Sequence, residues 1–108
     1  MSMSEYKPVG RDTPIYHTPR LLVSAKIHCT DDGECGILVN VDDKRGGTKT
    51  NMMFDFSESI GNNIAEFVEK TVSKYYGSSS DRFHLIQKQV YIMCGHYFIS
   101  VVAKGGSV

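Results

Sequence analysis

The sequence lacks an excess of charge of either sign. Its 108 residues contain 12 Lys+Arg and 12 Asp+Glu, and the formal net charge at pH 7 is zero. A broad cationic field is what draws non-specific binders to duplex DNA and to anionic membranes. The composition therefore excludes that class of protein and a membrane partner, and it leaves only a local basic patch as a route to nucleic acid.

Long apolar runs are also missing. No stretch approaches the ~20 consecutive apolar residues that span a bilayer, and the N-terminal segment has no signal-peptide core. Three cysteines, an odd number, argue against a disulfide framework, so we expect reduced thiols in an intracellular, cytoplasmic protein. With 41% hydrophobic residues, the chain is long enough to bury one core, which predicts a single small globular domain.

Proline is confined to the start of the chain, at Pro8, Pro14 and Pro19. This segment has little apolar periodicity, and prolines disfavour regular structure in an element interior. We therefore interpret residues 1–20 as an extended N-terminal arm and leave open whether it is ordered. The folded α+β domain is predicted over residues 21–106.

Strict alternation of apolar and polar residues begins after the arm. Residues 21–29 and 35–41 both place apolar side chains at odd positions, which predicts two strands that each bury one face. Directly opposed residues of an antiparallel pair share a face, so a short loop with Gly33 in a left-handed conformation fits between them. This register places Cys29 opposite Cys35. A third alternating segment, residues 48–56, predicts the next strand.

The period changes in the second half of the chain. Apolar residues between positions 57 and 76 recur at helical spacing, and Gly77 follows where a left-handed helix end is favoured. Residues 82–104 alternate again, which predicts a final hairpin turning near Cys94 and Gly95. The expected fold is α+β, an antiparallel five-stranded sheet with one helix on one face, in the order β-β-β-α-β-β.

One helix covers only one face of such a sheet. Strand parity places apolar side chains on the uncovered face, where nothing in the chain would cover them. We therefore predict a non-enzymatic protein-binding domain, an adaptor, complex subunit or inhibitor, that self-associates as a homodimer. It would act through the open face or through an edge strand at residues 97–102. The predicted partner-binding residues are Leu38, Met53, Tyr91, Phe98 and Val102.

Single-stranded nucleic-acid binding is the first alternative. Lys44, Arg45 and Lys49 supply cations around one loop, and Tyr16 supplies an aromatic side chain in the arm. Aromatic side chains beside cations bind single strands without reading their sequence. Acidic residues dilute the same regions, so protein binding is the preferred interpretation.

Zinc binding is the second alternative. Cys29, Cys35 and Cys94 supply soft ligands from two predicted hairpins, but their spacing does not match a closed zinc site. No thiol or hydroxyl has both an evident base and a group to orient that base. We therefore predict no metal ligand, no cofactor and no catalytic residue.

Overall fold

The computed structural model describes residues 5–103, and the side chains of residues 5–96. Four strands are followed by two helices: β1 Lys7–His17, β2 Leu21–Cys29, β3 Cys35–Asp43, β4 Lys49–Asp55, α1 Ile60–Tyr76 and α2 Ser80–Ala103. The strands form one antiparallel sheet in the order β1-β2-β3-β4. Both helices pack against the sheet, α1 on β3 and β4 and α2 on β1, and they also pack against each other.

The expected order β-β-β-α-β-β, with five strands and one helix, is wrong, although the fold is α+β. The segment read as a final hairpin is α2. Ile86, Val90 and Met93 are buried, and their spacing is that of one helix face. Ile92, which strand parity directs inward, is 48% exposed. The apolar residues of this segment fit both periods, and the helical one is adopted.

The second correction concerns the N-terminal segment, most of which forms β1. This strand pairs with β2 along its length, but the register shifts between Val9 and Thr13 and again between Pro14 and Tyr16. β1 lies at the edge of the sheet, where proline is tolerated because no second neighbour needs its missing N–H. The two shifts interrupt the alternation of side chains, which is why the sequence pattern did not indicate a strand.

The predicted register between β2 and β3 is confirmed. Cys29 lies opposite Cys35, and Gly33 in the connecting turn has a φ of +93°. The two cysteines form a disulfide, with Cα atoms 4.1 Å apart. The expectation of reduced thiols is therefore wrong for this pair, and the disulfide ties the end of β2 to the start of β3.

The predicted helix in residues 57–76 is confirmed as α1, which ends at Tyr76 and is followed by Gly77 with a φ of +76°. Its buried side chains meet those of β2, β3 and α2 in one core between the sheet and the helix layer. The fully buried large side chains are Leu21, Val23, Ile37, Val39, Ile64, Val68, Val72, Ile86 and Val90.

Candidate functional site

The uncovered face of the sheet carries two of the predicted partner-binding residues. Leu38 and Met53 are directly opposed across β3 and β4, and both are half-buried. The sulfur of Met53 lies over Gly36, 3.0 Å from where a Cβ of that glycine would be. The neighbouring positions on this face are polar: Ser24, Lys26, Asn40 and Asn51. The face therefore holds a small apolar patch within polar surroundings.

The other three predicted partner-binding residues lie in α2 and not on the sheet. Tyr91 is 53% exposed, and its ring covers Gly61 of α1, where a Cβ would come within 2.6 Å of the ring. Phe98 and Val102 lie in the part of α2 whose side chains are outside the described residues. Residues 97–102 are helical, so the edge strand predicted there is wrong.

The residues predicted for nucleic-acid binding are separated. Lys44 and Arg45 lie exposed in the β3–β4 turn, and Lys49 is exposed at the start of β4. Tyr16 lies in β1, at the opposite edge of the sheet, and packs against the core. The structure thus brings the cations to one hairpin but does not place this aromatic side chain beside them.

A polar cluster surrounds Asp43, at the end of β3. Arg20 donates from Nε and Nη2 to the two carboxylate oxygens at 3.2 and 3.1 Å. The backbone N–H groups of Arg45 and Gly46 each donate to Oδ1 at 3.0 Å. The guanidinium of Arg20 also lies over the ring of Tyr75, 4.8 Å from its centroid. The cluster joins the start of β2, the β3–β4 turn and the end of α1.

These contacts control the ionisation of Asp43. The hydrogen bond from Arg20, followed by that from the backbone of Gly46, lowers the pKa of Asp43 from 3.8 to about 2. The carboxylate is 4% exposed and uses both oxygens in hydrogen bonds. A carboxylate held ionised by bonds that build the fold is poorly suited to proton transfer near neutral pH. We therefore interpret the Asp43 cluster as structural.

A second ionic cluster joins the two helices. Arg82 of α2 donates from Nε and Nη2 to the carboxylate of Glu69 in α1, at 2.8 and 2.7 Å. Ser79 donates its N–H to the same carboxylate, and Arg82 also donates to the carbonyl of Gly77. The hydrogen bonds from Arg82 lower the pKa of Glu69. This bidentate pair positions α2 against α1.

The thiols do not form a metal site. Cys29 and Cys35 are joined to each other, and burial raises the pKa of the Cys94 thiol, which keeps it protonated and a poor ligand. Within residues 5–103, no three His, Cys, Asp or Glu side chains come close enough to hold a metal ion. The ligand set proposed for zinc is therefore not brought together.

The outer edge of β4 presents unpaired backbone groups. The N–H of Asp43 donates to the carbonyl of Thr48 at 2.8 Å, and pairs that exchange hydrogen bonds alternate with pairs that do not along an antiparallel ladder. Every second residue of β4, starting with Thr50, therefore directs its N–H and C=O toward β3. The remaining residues direct these groups away from the sheet: Lys49, Asn51, Met53 and Asp55. Among the described residues, no hydrogen bond to these outward groups is formed.

The two edges of the sheet differ in how they are protected. β1 contains Pro8 and Pro14, a Gly10 with a φ of +82°, and two shifts of register. Prolines and bulges of this kind prevent another strand from pairing at an edge. β4 pairs with β3 in one unbroken register, contains no proline, and has no charged residue between Lys49 and Asp55. Sequence reasoning missed this edge, although the absence of proline and charge from residues 50–54 is visible in the sequence.

No family model, no curated protein and no solved structure matches the chain. In the described part of the chain, neither helix combines the length and the apolar character needed to cross a membrane.

Proposed function

We propose that the chain is a non-enzymatic protein-binding domain that takes an extended segment of its partner as an additional strand along β4. The observation that carries the proposal is the row of outward N–H and C=O groups on a regular seven-residue edge strand. Strand addition gains main-chain hydrogen bonds at such an edge, while pockets for alternate side chains supply selectivity.

The side chains of β4 indicate which segment fits. Met53 lies on the open face next to Leu38, so it offers an apolar contact there. Met52, on the helix side, is 46% exposed. Phe54, also on the helix side, packs edge-on against Phe67 of α1, with ring centroids 5.6 Å apart. A partner segment with apolar side chains at its centre would therefore find contacts on both faces of the new strand.

The polar clusters support a non-enzymatic role. The carboxylates of Asp43 and Glu69 are both engaged by arginine side chains that join one element to another. A general acid or base works best with a pKa near the working pH and a proton to exchange. Neither carboxylate meets these requirements, since both are held in the ionised form by structural hydrogen bonds.

A peptide selection tests the proposal without knowledge of the natural partner. A displayed library of random nine-residue peptides is selected on the full chain alone, and the selected peptides are then tested against Asn51→Pro. This variant removes an outward N–H, whereas the pairing of β4 with β3 does not use that group. We expect the selected peptides to slow amide exchange of Asn51 and Met53, and to bind Asn51→Pro at least about tenfold more weakly.

Asn51→Ala is the matched control, because it removes the same side chain but keeps the backbone donor. We expect it to bind the selected peptides as the unchanged chain does. Thr50→Pro removes a donor that points toward β3, so it should lower the free energy of unfolding, whereas Asn51→Pro should not break a bond of the β3–β4 ladder. Selected peptides that bind Asn51→Pro equally well would contradict the proposal, as would a selection without β4 binders at a concentration where the chain is monomeric.

A further inference from the structure

We infer that the strand added at β4 is β4 of a second copy of this chain, antiparallel and centred on Met52, so that two sheets join into one continuous sheet. This inference rests on the proposed strand addition and names its partner. It follows from the sequence of β4 together with the direction in which its backbone groups point.

The charge pattern of β4 is complementary to that of a second β4 running in the opposite direction. The strand begins with Lys49 and ends with Asp55, and the five residues between them are uncharged. A two-fold axis at Met52 places Lys49 of each copy opposite Asp55 of the second copy. Within the described residues, neither charge takes part in an ion pair. Both are exposed and therefore available to a second chain.

The hydrogen-bonding pattern is compatible with the same axis. Lys49, Asn51, Met53 and Asp55 carry the outward backbone groups. An axis at Met52 pairs Lys49 with Asp55 and Asn51 with Met53, so every outward group faces another outward group. Antiparallel strands exchange two hydrogen bonds at each such pair. The arrangement thus satisfies the whole edge and not only its centre.

Neighbouring registers lose the charge pairing. Centring the axis on Asn51 places Lys49 opposite Met53, and centring it on Met53 places Asp55 opposite Asn51. Each shift leaves a charge beside a neutral side chain. Centring on Met52 also brings the two Met52 side chains, 46% exposed in one copy, into contact on the helix side of the joined sheet. Charge and apolar contact therefore select one of the registers that the hydrogen-bonding pattern allows.

A charge exchange tests both the dimer and its register. Lys49→Glu places two carboxylates opposite each other at both ends of the joined strands, and Asp55→Lys places two ammonium groups there. Directly opposed like charges destabilise a strand pair, so each variant alone should dimerise at least about tenfold more weakly than the unchanged chain. In an equimolar mixture, the glutamate of the Lys49→Glu variant faces the lysine of the Asp55→Lys variant. At the other end, the unchanged Asp55 of the first variant faces the unchanged Lys49 of the second. The mixture should therefore form heterodimers. Native mass spectrometry of one isotopically labelled variant with the other distinguishes heterodimers from homodimers.

Folding is controlled separately, because Lys49 also lies opposite Asp42 on β3, where a glutamate adds repulsion within the chain. Asp55 lies opposite Gly36, so Asp55→Lys adds no such pair, and circular dichroism checks both variants. An unchanged chain that is monomeric at all concentrations would overturn the inference, as would variants that homodimerise normally or fail to form heterodimers. The peptide selection above tests strand addition separately. If the chain is monomeric but peptides bind at β4, strand addition is supported while the inference of a dimer fails.

Discussion

Asp43 shows how one carboxylate can control the pH dependence of this fold. Its pKa is about 2, below the ordinary 3.8, primarily because Arg20 donates hydrogen bonds to the ionised form. A folded-state pKa below the unfolded value means that the stabilisation is complete above about pH 4. It is lost as the pH falls through the folded-state pKa of about 2.

We therefore expect the urea midpoint of the unchanged chain to fall between about pH 4 and pH 2 more steeply than that of Asp43→Asn. The measurement is urea unfolding followed by circular dichroism at several pH values. Asp42→Asn is the matched control, because it removes a neighbouring carboxylate that lies on the open face and not in the cluster. Equal slopes for the unchanged chain and Asp43→Asn would contradict this role.

At the scale of elements, α2 can be tested through two adjacent side chains. Met93 is 4% exposed and belongs to the core, whereas Ile92 is 48% exposed. We expect Met93→Ala to lower the free energy of unfolding by about 2–4 kcal/mol, and Ile92→Ala to lower it by less than about 1 kcal/mol. Denaturant unfolding of the two variants measures both values. A larger loss for Ile92→Ala than for Met93→Ala would contradict the helical burial pattern of α2.

The elements that could be predicted from sequence are those with one unambiguous period. Apolar residues recur at alternate positions of β2 and β3, so even the register that places Cys29 opposite Cys35 could be predicted. α1 shows a clear helical face, and its end before Gly77 follows from backbone preference. α2 was missed because its apolar residues satisfy two periods, and β1 was missed because register shifts near Thr13 and Pro14 hide its alternation.

The candidate site could be predicted only in part, because α2 and β1 were not recognised from the sequence. That Leu38 and Met53 share the open face follows from strand parity, and the structure places them directly opposite each other. Placing Tyr91 on the same face required the final hairpin, so that prediction failed with it. The receptive edge at β4 depends on which strands lie outermost. The predicted final hairpin supplied two further strands that could lie beside β4, and in the structure this segment is α2.

At the scale of the whole molecule, the disulfide is a local staple. Cys29 and Cys35 are six residues apart, and the β2–β3 ladder already closes the same short loop. We expect the double variant Cys29→Ala/Cys35→Ala to lose about 2 kcal/mol of unfolding free energy while keeping the folded circular dichroism spectrum. The core lies between the sheet and helices and not around the disulfide, so the fold should persist without it.

Thermal unfolding with and without a thiol reductant provides the measurement. The unchanged chain and Cys94→Ala should both melt at lower temperature under reduction, and the double variant should show no response. Loss of the folded spectrum at room temperature on reduction would contradict a local role for the disulfide.

The unequal edges of the sheet also set a limit on growth. If each copy offers one receptive margin and one margin closed by prolines, its valence for strand pairing is one. Two copies that have joined present only closed margins to further molecules. Association by this route stops at two copies, so it does not produce a filament.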